Sequence, residues 1–377
     1  MIRAAVFVAV SLLLAQVPAA HHGGGTFDNT REIELSGVLT RLDLINPHSW
    51  IYFDVTDKDG RVSAHRCEMR AATVLRRSGW TKEMFRPGQR ITIQGSPDRI
   101  DPNSCYLNTI ILQDGSRADR YGQFKKPAAT AAKRALRRPS GEPNISGDWA
   151  PEQLVMTDPR GRRGALVPLS RVDQFKPGEG RIGGPRGAGA GGPRRYGGSE
   201  LTDLGEQAAA KFETFSVKDN PRLRCETTSV IFDWAFDGPV NRITQNKDTI
   251  VLQYGQMGFT REVHMNQARH PASLKPSRAG HSIGRWEGDV LIVDTVGFAP
   301  GVLSPPVLNS SQLHVVERFV LDPDAMTLTR SYVAEDPVYL KGQYTGSDVI
   351  QVADLPYSPD TCNELGFVDY SKQAKKP

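Results

Sequence analysis

The chain has 377 residues, enough for two domains of ordinary size. Its net charge of +5 is unevenly placed. Residues 125–195 carry 15 Lys and Arg against 6 Asp and Glu, a net of +9, so the rest of the chain has a net charge of −4. This excludes a uniformly basic surface on the folded parts, and the 36 Gly and 26 Pro indicate loops and linkers.

Residues 1–20 have the features of a secretory signal peptide. Arg3 supplies the positive start, and residues 4–14 form an apolar run that is too short to span a bilayer. Small residues favour cleavage after Ala19 or Ala20. We therefore expect an exported, periplasmic or secreted protein with no stable membrane insertion and no nucleic-acid partner.

Residues 21–117 predict a small β-barrel domain. Apolar and β-branched runs predict strands at 33–44, 50–55, 61–67, 90–94 and 106–112, and residues 71–77 predict a helix that ends at Gly79. Three strands, a helix and two strands is the order of a five-stranded barrel of the oligonucleotide/oligosaccharide-binding type, the OB-fold.

Residues 118–143, rich in Ala, Pro, Lys and Arg, predict a linker. The second domain is expected over residues 144–373, with a first strand at 144–149. A Gly/Arg-rich insert around 158–199 is expected to be disordered. Thr202 is placed to cap a helix that runs from Asp203 to about residue 215.

The rest of the second domain has an antiparallel β pattern. About eight strands in consecutive hairpins predict an up-and-down, lipocalin-like barrel or a strongly curved meander. Its central hairpin turns at Glu287-Gly-Asp289. Alternation along residues 290–296 puts Asp294 on a largely apolar strand, where a carboxylate is costly unless it is paired or used.

Four cysteines in an oxidising compartment favour disulfides. Cys67 and Cys105 lie in the first half, and Cys225 and Cys362 in the second. One bridge in each domain is the simplest of the three possible connectivities. Spacings this wide do not favour a zinc site.

Polar residues on neighbouring predicted strands of the second domain are candidates for chemistry. An imidazole and a carboxylate inside a barrel can act as base and acid, and the candidate catalytic residues are His281, Glu287, Asp294 and His314. Candidate ligand-binding residues are His270, Arg285, Trp286 and Glu317. Ion-pair networks also gather polar residues on strands, so a purely structural role is the alternative.

The mature N-terminus is a candidate copper site. Cleavage after Ala20 would leave His21 with a free amine, His22 beside it, and His48 as a further imidazole. An amine and imidazoles suit Cu(II) in a nitrogen-rich tetragonal site. A flexible terminus that binds metal only incidentally is the alternative reading.

Two sets of motifs resemble uncharacterised families of exported bacterial proteins. The first set covers most of residues 21–117 and consists of His21-His22, Phe27-Asp28, Asn46-Pro-His-Ser-Trp50, Arg76-Arg-Ser-Gly-Trp80, Pro87-Gly88 and Asp114-Gly-Ser-Arg117. The second set consists of His270-Pro271, Gly280-His-Ser-Ile-Gly-Arg-Trp-Glu-Gly-Asp289 and Leu313-His-Val-Val-Glu-Arg-Phe319. This chain departs from the second family at His264 and Asn266, where an aromatic and an acidic residue are usual. Neither resemblance implies a known activity.

Three functions follow as hypotheses. The leading one is binding of a small, partly apolar ligand inside the C-terminal barrel. The second is a non-redox enzyme, a hydrolase, isomerase or lyase, that uses a His–carboxylate pair. The third is a copper-binding protein.

Overall fold

The computed structural model describes residues 27–28, 30–46, 48–120, 135–156, 166–170, 196–213, 216, 218–236, 238–360 and 362. The fold is mainly β, as predicted, with a small N-terminal barrel and a larger C-terminal one. The predicted signal peptide, His21, His22 and most of the Gly/Arg-rich insert lie outside the described residues.

The first barrel is one curved sheet with the strand order β3-β2-β1-β4-β5-β6. A parallel pairing of β3 with β5 closes it. The strands are β1 (Ile33–Asp43), β2 (Trp50–Thr56), β3 (Val62–Glu68), β4 (Arg90–Pro97), β5 (Ser104–Leu112) and β6 (Arg117–Asp119), and the helix α1 (Ala72–Arg77) follows β3. The predicted order of three strands, a helix and two strands is confirmed, with β6 as a short addition.

Alternating residues fill the first barrel because successive side chains in a strand point to opposite faces. Leu39, Ile51, Phe53, Ile93 and Ile110 are buried in one cluster. The Cys67–Cys105 disulfide links β3 to β5 at the parallel pairing that closes the sheet.

The second barrel is closed by nine strands in the order β10-β11-β12-β13-β14-β17-β18-β19-β7. They are β7 (Gly147–Pro151), β10 (Asn241–Gln245), β11 (Thr249–Gln253), β12 (Thr260–His264), β13 (His281–Glu287), β14 (Val290–Val296), β17 (His314–Asp322), β18 (Thr327–Glu335) and β19 (Gln343–Val352). The predicted central hairpin is β13 and β14. One pair departs from the antiparallel prediction: β12 runs parallel to β13, because residues 265–280 cross over between them.

Shorter elements surround this barrel. The helix α2 (Asp203–Lys211) begins at Thr202, whose hydroxyl accepts from the backbone N–H of Gly205 at 3.0 Å, as the capping prediction requires. Two small two-stranded sheets lie beside it: β8 (Leu154–Met156) with β9 (Leu166–Pro168), and β15 (Gly301–Ser304) with β16 (Val307–Asn309). The strand β9 therefore lies within the insert that was expected to be disordered.

The interior of the second barrel is filled by side chains. Trp149, Trp234 and Phe319 are buried there with aliphatic residues of six strands. Trp234 comes from a stretch of turns, residues 230–236, that precedes β10 in the chain. These residues occupy the space in which a ligand was expected, so any ligand site of this barrel has to be sought on its outer face.

Residues 353–360 and Cys362 make contacts with both barrels. Arg77 is buried and donates to Asp354 Oδ1 at 2.9 Å, to the Gly238 carbonyl oxygen at 2.9 Å and to the Pro151 carbonyl oxygen at 2.8 Å. The Cys225–Cys362 disulfide holds the end of this segment, so each barrel carries one bridge, as predicted. Within the described part of the chain, no helix has the length and apolarity needed to cross a membrane.

Candidate functional site

Strand register gathers polar residues on the outer wall of the second barrel. Leu291, Val293 and Thr295 of β14 are buried toward the interior, so Asp294 faces outward. Ile283 of β13 and Val316 of β17 pair with Asp294 on either side. His281 and His314 lie two residues from those partners on the same outward faces, since side chains alternate along a strand. Both imidazoles therefore lie diagonally across from the carboxylate.

The crossover between β12 and β13 adds His270 to this wall. The C-terminal end of the crossover is held to the sheet by a hydrogen bond from the backbone N–H of Ser277 to the Gly297 carbonyl oxygen at 3.1 Å. Gly280 enters β13 with a φ of 64°, and a Cβ there would lie 2.7 Å from the Val296 carbonyl oxygen. The positive φ and the close approach both require glycine, so this residue sets the path that leads the loop back over the wall.

Asp294 accepts from two imidazoles. His270 Nε2 lies 3.2 Å and His314 Nε2 lies 3.0 Å from the same oxygen, Asp294 Oδ1. On the opposite side of its ring, His270 Nδ1 lies 2.8 Å from His281 Nδ1. The four side chains form a continuous hydrogen-bonded chain, His281–His270–Asp294–His314, which we call the His–Asp chain.

Donor and acceptor rules assign the protons along the His–Asp chain. An ionised carboxylate only accepts, so His270 and His314 both carry a proton on Nε2. Nδ1 of a neutral His270 is then an acceptor, and His281 must carry its proton on Nδ1. Two lone pairs are left, on His281 Nε2 and on His314 Nδ1. These are the atoms of the chain that can take a proton from another molecule.

The His–Asp chain is only partly buried. The exposed fraction is 19% for the His270 side chain, 30% for Asp294 and 38% for His314. Burial, together with the positive charges that His264 and His270 can carry, lowers the pKa of His281 below its usual value. The neutral form of His281 is therefore favoured, which leaves its Nε2 lone pair open while Nδ1 donates to His270.

His264 extends this wall by one residue. It ends β12, and its ring stacks on His281 with ring centroids 4.9 Å apart. Residues alternate along β12, so Thr260, Glu262 and His264 share its outward face. This alternation could have identified His264 from the sequence. His264 is thus a site neighbour that the sequence reasoning missed.

Three of the four predicted catalytic residues are brought together, and the fourth is not. Glu287 lies at the far end of the hairpin, where its Oε1 accepts from Arg285 Nε at 2.8 Å. Both side chains of this pair are mostly exposed. Trp286, a predicted ligand-binding residue, is half-buried against the barrel core. The predicted ligand-binding set is therefore divided between the turn, the core and the wall.

Glu317, also predicted to bind ligand, lies inside the barrel. Its carboxylate pairs with Arg261 and Arg330, and all three side chains are buried. Although burial disfavours the charged form, the Glu317 carboxylate raises the pKa of Arg261. Burial raises the pKa of the adjacent Tyr254 to about 12. The completed ion pairs indicate a structural role for Glu317.

A groove begins at the His314 end of the His–Asp chain. It has a volume of about 650 Å³ and crosses the outer faces of β17, β18 and β19. It is lined by His314, Val316, Arg318, Ser331, Val333, Glu335, Gln343, Thr345 and Ser347, together with Tyr332 and Gly346. Its volume lies within the range of small-molecule sites. His314 belongs both to the groove and to the His–Asp chain.

The predicted copper site is only partly described. His48 Nδ1 lies 3.0 Å from Glu68 Oε1, but His21 and His22 lie outside the described residues. Among the residues that the structure does describe, no group of three or more His, Cys, Asp or Glu is arranged to hold a metal ion. The copper site stays a prediction.

Comparison with known proteins finds a match for the N-terminal part of the chain only. A family model described as a family of unknown function (DUF6152) matches residues 9–105, which include β1 to β4 and the start of β5. No curated protein matches the chain. The family match ends within the first barrel, whereas the His–Asp chain lies in the second.

Proposed function

We propose that the C-terminal barrel is a non-redox acid–base enzyme whose active site is the His–Asp chain on its outer wall. The observation that carries the proposal is that one oxygen, Asp294 Oδ1, lies within hydrogen-bond distance of both His270 and His314. A carboxylate that orients an imidazole and stabilises its charged form is the usual support of a histidine general base.

His314 is the base in this proposal. Its Nε2–H donates to Asp294, which leaves the Nδ1 lone pair to take a proton from a substrate O–H, a C–H or a water molecule. The imidazolium that forms stays hydrogen-bonded to Asp294 and returns the proton to the product. His281, neutral because its pKa is lowered, offers Nε2 as an acceptor for a substrate hydroxyl or amide.

The groove supplies a place for the substrate. Ligand binding and catalysis then belong to the same outer wall, and the small, partly apolar ligand expected from the sequence would lie over Val316 and Val333 rather than inside the barrel. Hydrolysis, isomerisation and elimination all begin with the proton transfer described, and none of them requires a redox cofactor.

The test is conversion of small molecules followed by NMR in D₂O. The panel consists of small esters, lactones and enolisable ketones, each in a neutral and a carboxylate-bearing form. Hydrolysis or isomerisation gives new signals, and proton abstraction from carbon replaces hydrogen by deuterium. Asp294→Asn and His314→Gln are expected to lower the rate by roughly 10²- to 10⁴-fold, the usual contribution of general base catalysis.

His65→Gln is the matched control, because His65 is a half-buried histidine of the first barrel, 3.0 Å from Ser63 Oγ. It removes an imidazole without touching the His–Asp chain and should leave the rate unchanged. No conversion of any compound, or conversion equally fast in D294N, contradicts the proposal.

Export is part of the proposal. Both cysteine pairs are joined in disulfides, which persist in oxidising compartments. Together with the signal-like residues 1–20, this supports a periplasmic or secreted location. N-terminal sequencing of protein recovered from that compartment should give His21 or Ala20 as the first residue, and an uncleaved start would contradict export.

A further inference from the structure

The groove is a regular grid of outward-facing side chains on three strands. Antiparallel register places His314 opposite Glu335, Val316 opposite Val333 and Arg318 opposite Ser331. The next strand continues each row with Gln343, Thr345 and Ser347. One row is apolar in two of its three positions, and it lies between two rows that are polar throughout.

The two polar rows carry opposite charge. At the His314 end, Glu335 and Asp294 are carboxylates, and Gln343 Nε2 donates to Glu335 Oε1 at 2.9 Å. At the other end, Arg318 is exposed, and it forms no ion pair with any other residue that the structure describes. Arg285, on the same wall, is held by Glu287 with Nη2 2.6 Å from its carboxylate. Arg318 therefore presents its guanidinium to whatever lies in the groove.

This arrangement orients a bound anion. A negative group is repelled from the end that holds Glu335 and Asp294, and it is attracted to Arg318, whose guanidinium can bind a carboxylate through two parallel hydrogen bonds. The methyl groups of Val316 and Val333 then cover an apolar middle portion of the ligand.

The geometry points to a substrate class: a small carboxylate with an aliphatic middle, bound with its anionic end at Arg318 and its reacting end at His314. The position of the reacting end rests on the proposed acid–base function, whereas the position of the anionic end rests on Arg318 alone. Arg318 lies four positions along β17 from His314, about 14 Å between their Cα atoms. A chain of medium length, and not a two- or three-carbon acid, is therefore needed to reach both.

The far side of the groove is bounded at β19. The Thr345 hydroxyl donates to the Gly197 carbonyl oxygen at 3.2 Å, and the Thr345 backbone N–H donates to the same oxygen at 2.7 Å. The segment at 196–200 thus covers the strand edge there. A ligand has to lie along the strands, between Arg318 and His314, rather than across the edge.

The test uses octanoate as the probe and its uncharged amide, octanamide, for comparison. Binding to the full chain is followed by backbone amide shifts at Val316 and Val333. Octanoate should bind more tightly than octanamide. Arg318→Gln should weaken octanoate binding by roughly tenfold to a hundredfold, the usual loss for a charge-assisted pair, and should leave octanamide binding unchanged.

Arg285→Gln is the matched control, since it removes a paired guanidinium from the same wall, and it should bind octanoate like the parent. Asp294→Asn should bind octanoate at least as tightly while it loses turnover, so the two proposals fail separately. Octanoate binding that is absent, unaffected by R318Q or no tighter than octanamide binding overturns the substrate class. Turnover that survives in D294N overturns the acid–base function instead.

Discussion

The second barrel carries two carboxylates on adjacent strands, one on each side of the wall. Glu317 of β17 faces inward, has no exposed surface and pairs with Arg261 and Arg330. Asp294 of β14 faces outward, is 30% exposed and accepts from two imidazoles. The inner carboxylate is paired with two arginines, which stay charged, whereas the outer one is paired with two histidines, whose ring nitrogens can both donate and accept a proton.

This difference in partners and exposure indicates a structural role for Glu317 and a role in proton transfer for Asp294. A buried carboxylate between two arginines makes its hydrogen bonds inside the barrel, and its role is to hold the interior together. A half-exposed carboxylate between histidines contributes little to stability but can support proton exchange with a bound molecule. Changes on the two sides of the wall should therefore have opposite profiles of stability and activity.

The largest effect is expected on the inner side. Glu317→Gln leaves Arg261 buried without a carboxylate, because its remaining polar contacts are the hydroxyls of Ser282, Thr295 and Tyr254. We expect the free energy of unfolding to fall by about 3–5 kcal/mol. Urea denaturation measures it. A variant as stable as the parent would show that the inner network is not structural.

A variant that lies outside both the inner ion pairs and the His–Asp chain should lose an intermediate amount of stability, and it shows how much turnover depends on stability alone. Thr202→Ala removes the cap of α2 and should cost about 1 kcal/mol of unfolding free energy. Turnover, measured in the same NMR assay, should stay at the parent rate. If turnover falls as far as in D294N, loss of stability rather than of the His–Asp chain explains the inactive variants.

Asp294→Asn should have the opposite effect to E317Q: it should lower turnover strongly and change the free energy of unfolding little. The hydrogen bonds it weakens are partly exposed, so the unfolding free energy should change by less than about 1 kcal/mol. Turnover should nevertheless fall far below that of T202A. Urea denaturation and the D₂O assay on one preparation test both halves, and a loss of several kcal/mol would make Asp294 a structural residue like Glu317.

The smallest effect is a pH dependence of stability on the outer side. The folded-state pKa of His281 lies below its usual value of about 6.5, so the unfolded chain binds this proton more readily. His281 therefore stabilises the fold less as the pH falls from about 6.5 through its lowered pKa. His281→Gln should show a shallower loss of stability in that window, and parallel pH profiles of the two proteins would contradict the assignment.

Much of this architecture follows from the sequence, because hydrophobic alternation is a local property. It predicts the strands of the first barrel, the helix α1 and the hairpin of β13 and β14, and it puts His314 and Glu317 on opposite faces of β17. It also predicts Thr202 as a cap, since the capping residue and the helix are adjacent in sequence.

The remainder depends on contacts between distant segments. The crossover at 265–280 makes β12 parallel to β13 and brings His270 to Asp294, and no local pattern encodes that return. Trp234 fills the interior from a segment of turns, which moves the candidate site from the inside of the barrel to its outer wall. The sequence names His281, Asp294 and His314 correctly as neighbours, but it does not say which side of the wall they share.

The most direct test of the His–Asp chain is the tautomer of each imidazole, read from long-range ¹H–¹⁵N correlations at pH 8. We expect a proton on Nδ1 of His281 and on Nε2 of both His270 and His314, with the His270 and His314 signals displaced in D294N. A proton on Nδ1 of His314, or signals that are unchanged by D294N, would contradict a proton-transferring chain on this wall.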